Sequence, residues 1–147
     1  MELKQELIQL NASFTSKEEA IRAAGALLVQ AGAVDADYVL SMLERESIVS
    51  TYMGNFVAIP HGTDGSKAHV KQTAISYVQV PQGVDFSDDE SEEKLATAIF
   101  GIAGVGDDHL DLLSKIAIFC SDVSNVVRLT DAKSEAEIIE MLKEVEA

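Results

Sequence analysis

The sequence predicts an α/β domain in which a small mixed (parallel and antiparallel) sheet of about five strands is flanked by helices on both faces. Three observations predict it. Helical and extended periodicities intermingle along the chain instead of separating into blocks. The extended stretches include short apolar runs of the kind that a sheet covered on both faces requires. Two of them, 73–80 and 95–103, follow one another with no helix between, so strict βαβ alternation fails and an antiparallel pair is expected.

The elements follow in order. Leu7, Ile8 and Leu10 form a short apolar segment that reads as an edge strand. Ser16 with Glu19 is a capping box, and Ile21, Ala24, Leu27 and Leu28 recur behind it at helical spacing to about Ala31, where Gly32 ends the helix. Asp35 is the cap of a second helix that carries Tyr38, Val39, Met42 and Leu43 on one face and ends near Glu46. Phe56 to Ile59 is an apolar run stopped by Pro60, hence a buried strand. Thr73 to Val80 alternates and is β-branched, and Pro81-Gln82-Gly83 is expected to turn the chain. The acidic run from Ser87 to Glu93 reads as a solvated loop without function. Leu95 to Ala103 is a further buried strand, weakened slightly by Gly101. After the turn Gly104-Val105-Gly106, Asp107 caps a helix over 108–120, with Leu110, Leu113, Ile116 and Ala117 inside. Ser121 or Asp122 caps a short helix from Val123 to Leu129, and the Ser134/Glu137 capping box opens a last helix to about Val145.

No repeat, low-complexity segment or Pro/Gly/Ser-rich linker divides the 147 residues, so 1–147 reads as one domain. Eleven Lys and Arg against 25 Asp and Glu give a net charge of −14, which excludes binding to nucleic acid or an anionic membrane through bulk charge and suits basic protein partners. The single cysteine, Cys120, excludes an internal disulfide framework and fits a reducing compartment. No apolar run approaches the ~18 residues of a membrane span, and the N-terminus is too polar for a signal peptide. A cytoplasmic location is expected.

Chemistry has few places to sit. The histidines are His61, His69 and His109. His61 ends a strand in Ile59-Pro60-His61-Gly62, where Pro60 stiffens the backbone and Gly62 leaves the ring accessible; strand C-termini are where open α/β sheets place ligands. On these residues alone a structural corner histidine remains the simpler reading. His109 lies on the first turn of a helix, a position that favours anions, although Asp107 and Asp108 would repel a phosphate unless turned away. The two histidines meet only if the strands ending at Ile59 and Ala103 are neighbours. Arg45, near a helix C-terminus, suits either the helix dipole or bidentate binding of phosphate. His69 is expected on the solvated surface and Cys120 in the core; Cys120 and Arg128 lack the spacing of a phosphatase thiolate loop. No HxH or HExxH pair supports a metal, and no Walker loop, GxGxxG or GxSxG supports a nucleotide or a serine nucleophile, so no cofactor is expected.

Taken together, Tyr38-Val39, Met42-Leu43-Glu44-Arg45-Glu46, Thr51-Tyr52-Met53-Gly54, Ala58-Ile59-Pro60-His61-Gly62-Thr63 and Val80-Pro81-Gln82-Gly83-Val84-Asp85-Phe86, then Ile99 to Ala103 leading to His109, resemble the enzyme IIA component of the mannitol/fructose branch of the bacterial sugar phosphotransferase system. The likeness covers about residues 2 to 145 and is nearest to the mannitol-specific members. It implies a phosphocarrier. His61 would take a phosphoryl group on Nε2 from the histidine of HPr and pass it to the cysteine of an enzyme IIB domain. His109 would orient the phosphoryl group and Arg45 would offset its charge. A regulatory, nitrogen-type protein or a fructose-type IIA would use the same phosphohistidine.

Overall fold

The computed structural model describes residues 3–88 and 92–146. Among them a five-stranded sheet runs in the order β1-β4-β5-β3-β2. Its strands are β1 (Ile8–Gln9), β2 (Tyr52–Gly54), β3 (Val57–Ala58), β4 (Ala74–Asp85) and β5 (Leu95–Ala103). The helices are α1 (Lys17–Gln30), α2 (Asp37–Ile48), α3 (Asp108–Cys120), α4 (Val123–Asp131) and α5 (Glu135–Glu146).

The long antiparallel pair β4 and β5 is the centre, with Tyr77 opposite Phe100 and Val78 opposite Ile99. β1 joins β4 in parallel at one edge, as the short apolar segment predicts. β3 joins β5 in parallel on the other side, so the sheet is mixed. Consecutive residues of β4 show that both faces are covered. Ser76 Oγ donates to the Ala24 carbonyl of α1 at 2.8 Å, while the next side chain, Tyr77, reaches the Leu129 carbonyl of α4 at 3.2 Å. A strand turns alternate side chains to opposite faces. The rings of Tyr77 and Phe100 lie 5.0 Å apart and tilted by 45°, packed as a cross-strand aromatic pair in the core.

Helix starts follow the expected caps with small displacements. Ser16 Oγ accepts from Glu19 N–H, but the Glu19 carboxylate reaches back to Thr15 instead of closing the box on Ser16 itself. Lys133 and Glu137 repeat this arrangement in front of α5. Ala36, not Asp35, is the backbone cap of α2; Asp35 acts from one residue earlier, its carboxylate accepting from Asp37 N–H at 3.1 Å. Asp122 accepts from Ser124 N–H and caps α4.

Three expectations need correction. The chain does not turn at Pro81: β4 continues to Asp85, and the irregularity is a bulge between Gln79 and Val84 that leaves Pro81 without a ladder bond to make. The apolar run at Phe56 is two residues of strand, because Asn55 and Phe56 have positive φ (51° and 67°) and form the tip of a hairpin with β2, leaving Phe56 exposed. Leu110 is exposed, and the inward face of α3 is Leu112, Ile116, Phe119 and Cys120. The acidic run is solvent-facing as expected, with Asp88, Glu92 and Glu93 exposed, and Asp88 also pairs with the buried Lys17 at 2.5 Å. Residues 89–91 of that run lie outside the described residues.

Candidate functional site

The strands ending at Ile59 and Ala103 are neighbours, which is the condition for His61 and His109 to meet. β3 pairs with β5 through Val57–Ala98 and Ala58–Ile99, and an isolated parallel bridge then links His61 to Ile102. The chain thus delivers His61 to the C-terminal edge of the sheet, next to the loop that starts α3.

His61 is half-buried, with Nδ1 2.8 Å from the Ile59 carbonyl oxygen. A carbonyl can only accept, so Nδ1 carries the proton and Nε2 keeps its lone pair. Burial pushes the ring below the ordinary imidazole value of 6.5, the Ile59 carbonyl pulls upward, and the charges of Arg45 and His109 push further down against Asp64. The imidazole is therefore neutral near pH 7, with a nucleophilic Nε2.

Arg45 stands in the last turn of α2. Its Nη1 donates to the Val49 carbonyl at 2.5 Å, satisfying a group at the helix end. Both roles open to it from the sequence are thus compatible: the side chain is anchored at one nitrogen, and its charge is felt by His61. His109 is the second residue of α3 and lines a narrow cleft with Tyr38, Gly62, Thr63 and Gly104. α3 can begin there because residue 104 has no side chain: a Cβ would lie 2.2 Å from the His109 nitrogen.

The two aspartates before His109 have other partners. Asp108 accepts from Thr73 Oγ1 at 2.7 Å, and Asp107 pairs with Lys67 at 3.5 Å. Thr73 Oγ1 also accepts from Val105 N–H at 3.0 Å, so one hydroxyl at the start of β4 holds the turn that presents His109.

Side chains to which the sequence reading gave no role in the site take part as well. Tyr38, Ser41 and Arg45 stand at i, i+3 and i+7, on one face of α2. The Tyr38 hydroxyl accepts from Gly62 N–H at 2.9 Å and donates to the Ile102 carbonyl at 2.7 Å. Ser41 Oγ accepts from Thr63 N–H at 2.9 Å. Behind them the buried Glu46 accepts from Lys17 Nζ at 3.1 Å and from the Thr51 N–H and hydroxyl at 2.8 and 2.6 Å. Thr51 in turn takes the Ile59 N–H on its carbonyl at 3.1 Å.

The other candidates fall elsewhere. His69 is not simply solvated: its Nδ1 lies 2.8 Å from Asp35 Oδ2. With Asp37 these side chains bring potential ligand atoms within 4.8 Å of one another, but both Asp35 oxygens are committed, one to the start of α2 and one to His69. Cys120 is buried, and burial pushes its thiol up to about 12, which removes it as a nucleophile. Arg128 bonds Asn125 and Glu144. A cleft between the N-terminal segment, α3 and α5 has none of His61, His109 or Arg45 in its lining.

Residues 1–145 match the family profile of the phosphoenolpyruvate-dependent sugar phosphotransferase system, EIIA 2. The chain is 55% identical over 135 residues to the mannitol-specific phosphotransferase enzyme IIA component of Enterococcus faecalis, covering 92% of each. It is 48% identical over 143 residues to the protein of the same description from Bacillus subtilis, covering 97% of each. Among solved structures it is similar to enzyme IIAMtl in a complex with phosphorylated enzyme IIBMtl from Escherichia coli, with a TM-score of 0.90 and 36% identity over 97% of this chain and 98% of that one.

Proposed function

The chain belongs to the EIIA 2 family of the phosphoenolpyruvate-dependent sugar phosphotransferase system, and from that premise we propose that His61 is its phosphohistidine, with Arg45 and His109 as the groups that hold the phosphoryl charge. Members of this family are phosphotransferases that work through a phosphohistidine, and the mannitol branch is the one its relatives support best. No helix among the described residues is long and apolar enough to cross a membrane. We read the whole chain, 1–147, as one such domain, acting in the cytoplasm.

The observation that carries the assignment is the Nδ1–H of His61 on the Ile59 carbonyl. It leaves Nε2 as the nitrogen with a lone pair, and burial keeps the ring neutral. In the first step Nε2 attacks the phosphorus of phosphorylated HPr. The new N–P bond forms as the donor's N–P bond breaks, and that electron pair returns to the donor imidazole. The proton stays on Nδ1, hydrogen-bonded to the Ile59 carbonyl. In the second step the thiolate of an enzyme IIB cysteine attacks phosphorus, an S–P bond forms, and the N–P pair returns to Nε2. Transfer of this kind needs positioning and charge stabilisation more than covalent machinery. A phosphoryl group brings roughly −1.5 to −2 charges. The Arg45 guanidinium and the His109 ring, at the start of α3, supply the offset without a metal ligand set.

Purified protein mixed with phosphoenolpyruvate, enzyme I and HPr tests this. Acid-labile phosphate should appear by intact mass, be absent from His61→Ala, and discharge onto a mannitol IIB domain. Label retained by His61→Ala would move the site elsewhere. Label that never passes to IIB would favour a regulatory protein over a transport carrier.

A further inference from the structure

We propose that Tyr38 is a positioning residue for His61: its hydroxyl is spliced into the β3–β5 ladder where the strands part, and so sets the tautomer and direction of the imidazole. The proposal rests on the reading of His61 as the phosphoryl acceptor.

On one side of the His61–Ile102 bridge the ladder bond is direct, from Ile102 N–H to the Pro60 carbonyl at 3.0 Å. The matching bond on the other side of a parallel bridge would run from Gly62 N–H to the Ile102 carbonyl. The Tyr38 hydroxyl occupies that position, taking the first group at 2.9 Å and giving its proton to the second at 2.7 Å. The side chain is buried, 4% exposed, and burial pushes its phenol upward, so the O–H is present throughout the working pH range. Residue 62 admits the ring only as glycine, because a Cβ would stand 2.6 Å from Tyr38 Cε1.

His61 is therefore held at both ends of its own backbone. Ile59, before it, takes the ring proton, and Gly62, after it, is held off β5 by the width of one oxygen. Remove that oxygen and the Gly62 N–H faces the Ile102 carbonyl directly. The ladder closes by one rung, residues 61 and 62 move toward β5, and the ring leaves its place on the Ile59 carbonyl. Were Tyr38 only satisfying buried peptide groups, its loss would cost stability and leave the imidazole unchanged.

Tyr38→Phe in the full chain separates the two. In the unphosphorylated variant, 15N spectra of the His61 ring should change from a protonated Nδ1 to a mixture of tautomers. With phosphorylated HPr as donor, kcat should fall about tenfold, while KM stays within about a factor of two. Either readout at its wild-type value in a folded variant overturns the proposal. Should the variant not fold, hydrogen exchange in the unaltered protein decides: the Gly62 amide should be protected, and exchange at open-loop rates would overturn it. Because the ring spectrum is read without phosphate, failure here is distinguishable from failure of the His61 assignment, which His61→Ala tests.

Discussion

The Nδ1 of His61 lies 2.8 Å from the carbonyl oxygen of Ile59, two residues earlier in the same chain. This contact protonates one nitrogen and frees the other, and burial holds the ring below its ordinary value of 6.5. In an NMR titration the His61 midpoint should therefore lie below 6.5; a midpoint above it would mean that burial does not govern this ring. Stability follows with a definite sign. Between the lowered folded value and the unfolded one, the unfolded chain holds a proton that the native ring lacks. The contribution is full above the unfolded value and is lost as pH falls through that window. His61→Gln should flatten this part of the stability profile.

Arg45 is tied to the Val49 carbonyl through one N–H, at an exposed hydrogen bond. Arg45→Gln should cost less than about 1 kcal/mol in denaturant unfolding. It should slow phosphoryl transfer by about 10 to 100-fold, because the charge proposed to meet the phosphoryl group is gone. Equal losses in stability and in transfer would assign the side chain to the helix end alone.

Gly104 and Gly65 make a matched pair. A Cβ at 104 would meet the backbone of His109 and Asp108 at 2.2 to 2.9 Å, and backbone cannot rotate away; at 65 nothing lies within 4 Å. Gly104→Ala should cost about 1–3 kcal/mol and slow transfer by displacing His109. Gly65→Ala should be neutral or raise stability by up to about 1 kcal/mol. Thermal unfolding of both variants, beside a transfer assay, tests the pair.

Lys17 and Glu46 form a buried ion pair with good geometry, the lysine also reaching Asp88 and the Phe86 carbonyl. Burial alone would push the lysine down, but the hydrogen bonds it donates to Asp88 and Glu46, with their charges, outweigh it and its pKa is raised. Lys17→Met leaves the Glu46 charge buried without its cation, and should cost about 3–5 kcal/mol. Glu46 also holds Thr51, which holds Ile59, so the variant's His61 spectrum should be perturbed as well. Chemical denaturation within 1 kcal/mol of wild type, to order of magnitude, would show that the pair is replaceable.

Much of this was legible in the sequence because local chemistry and global packing agree. β5 spans the run Leu95 to Ala103, and α3 runs from Asp108 to Cys120, because turn glycines and an aspartate mark where one period gives way to the other. Ser16 and Asp122 cap where their hydroxyl and carboxylate predict. What was missed depends on partners distant in the chain. β2 is three residues that become a strand only by pairing with β3 across a tip at positive φ. Pro81 looked like a turn because its effect on the ladder depends on a bulge that only the partner strand reveals. Of the residues proposed for the site, His61, His109 and Arg45 were readable as residue types in context. Tyr38 and Thr73 were not, since a tyrosine on an apolar helix face and a threonine at a strand start carry no mark of the backbone groups that fold up against them.

The pairing of β3 has a consequence for quality control. It is two residues long, yet it is gripped by a neighbour on each side. Were it threaded one residue out of step, every side chain beyond it would be turned over. His61 would then lose its place opposite Ile102 at the edge of the sheet. On the role proposed for His61, a mis-threaded molecule would be silent instead of wrongly active.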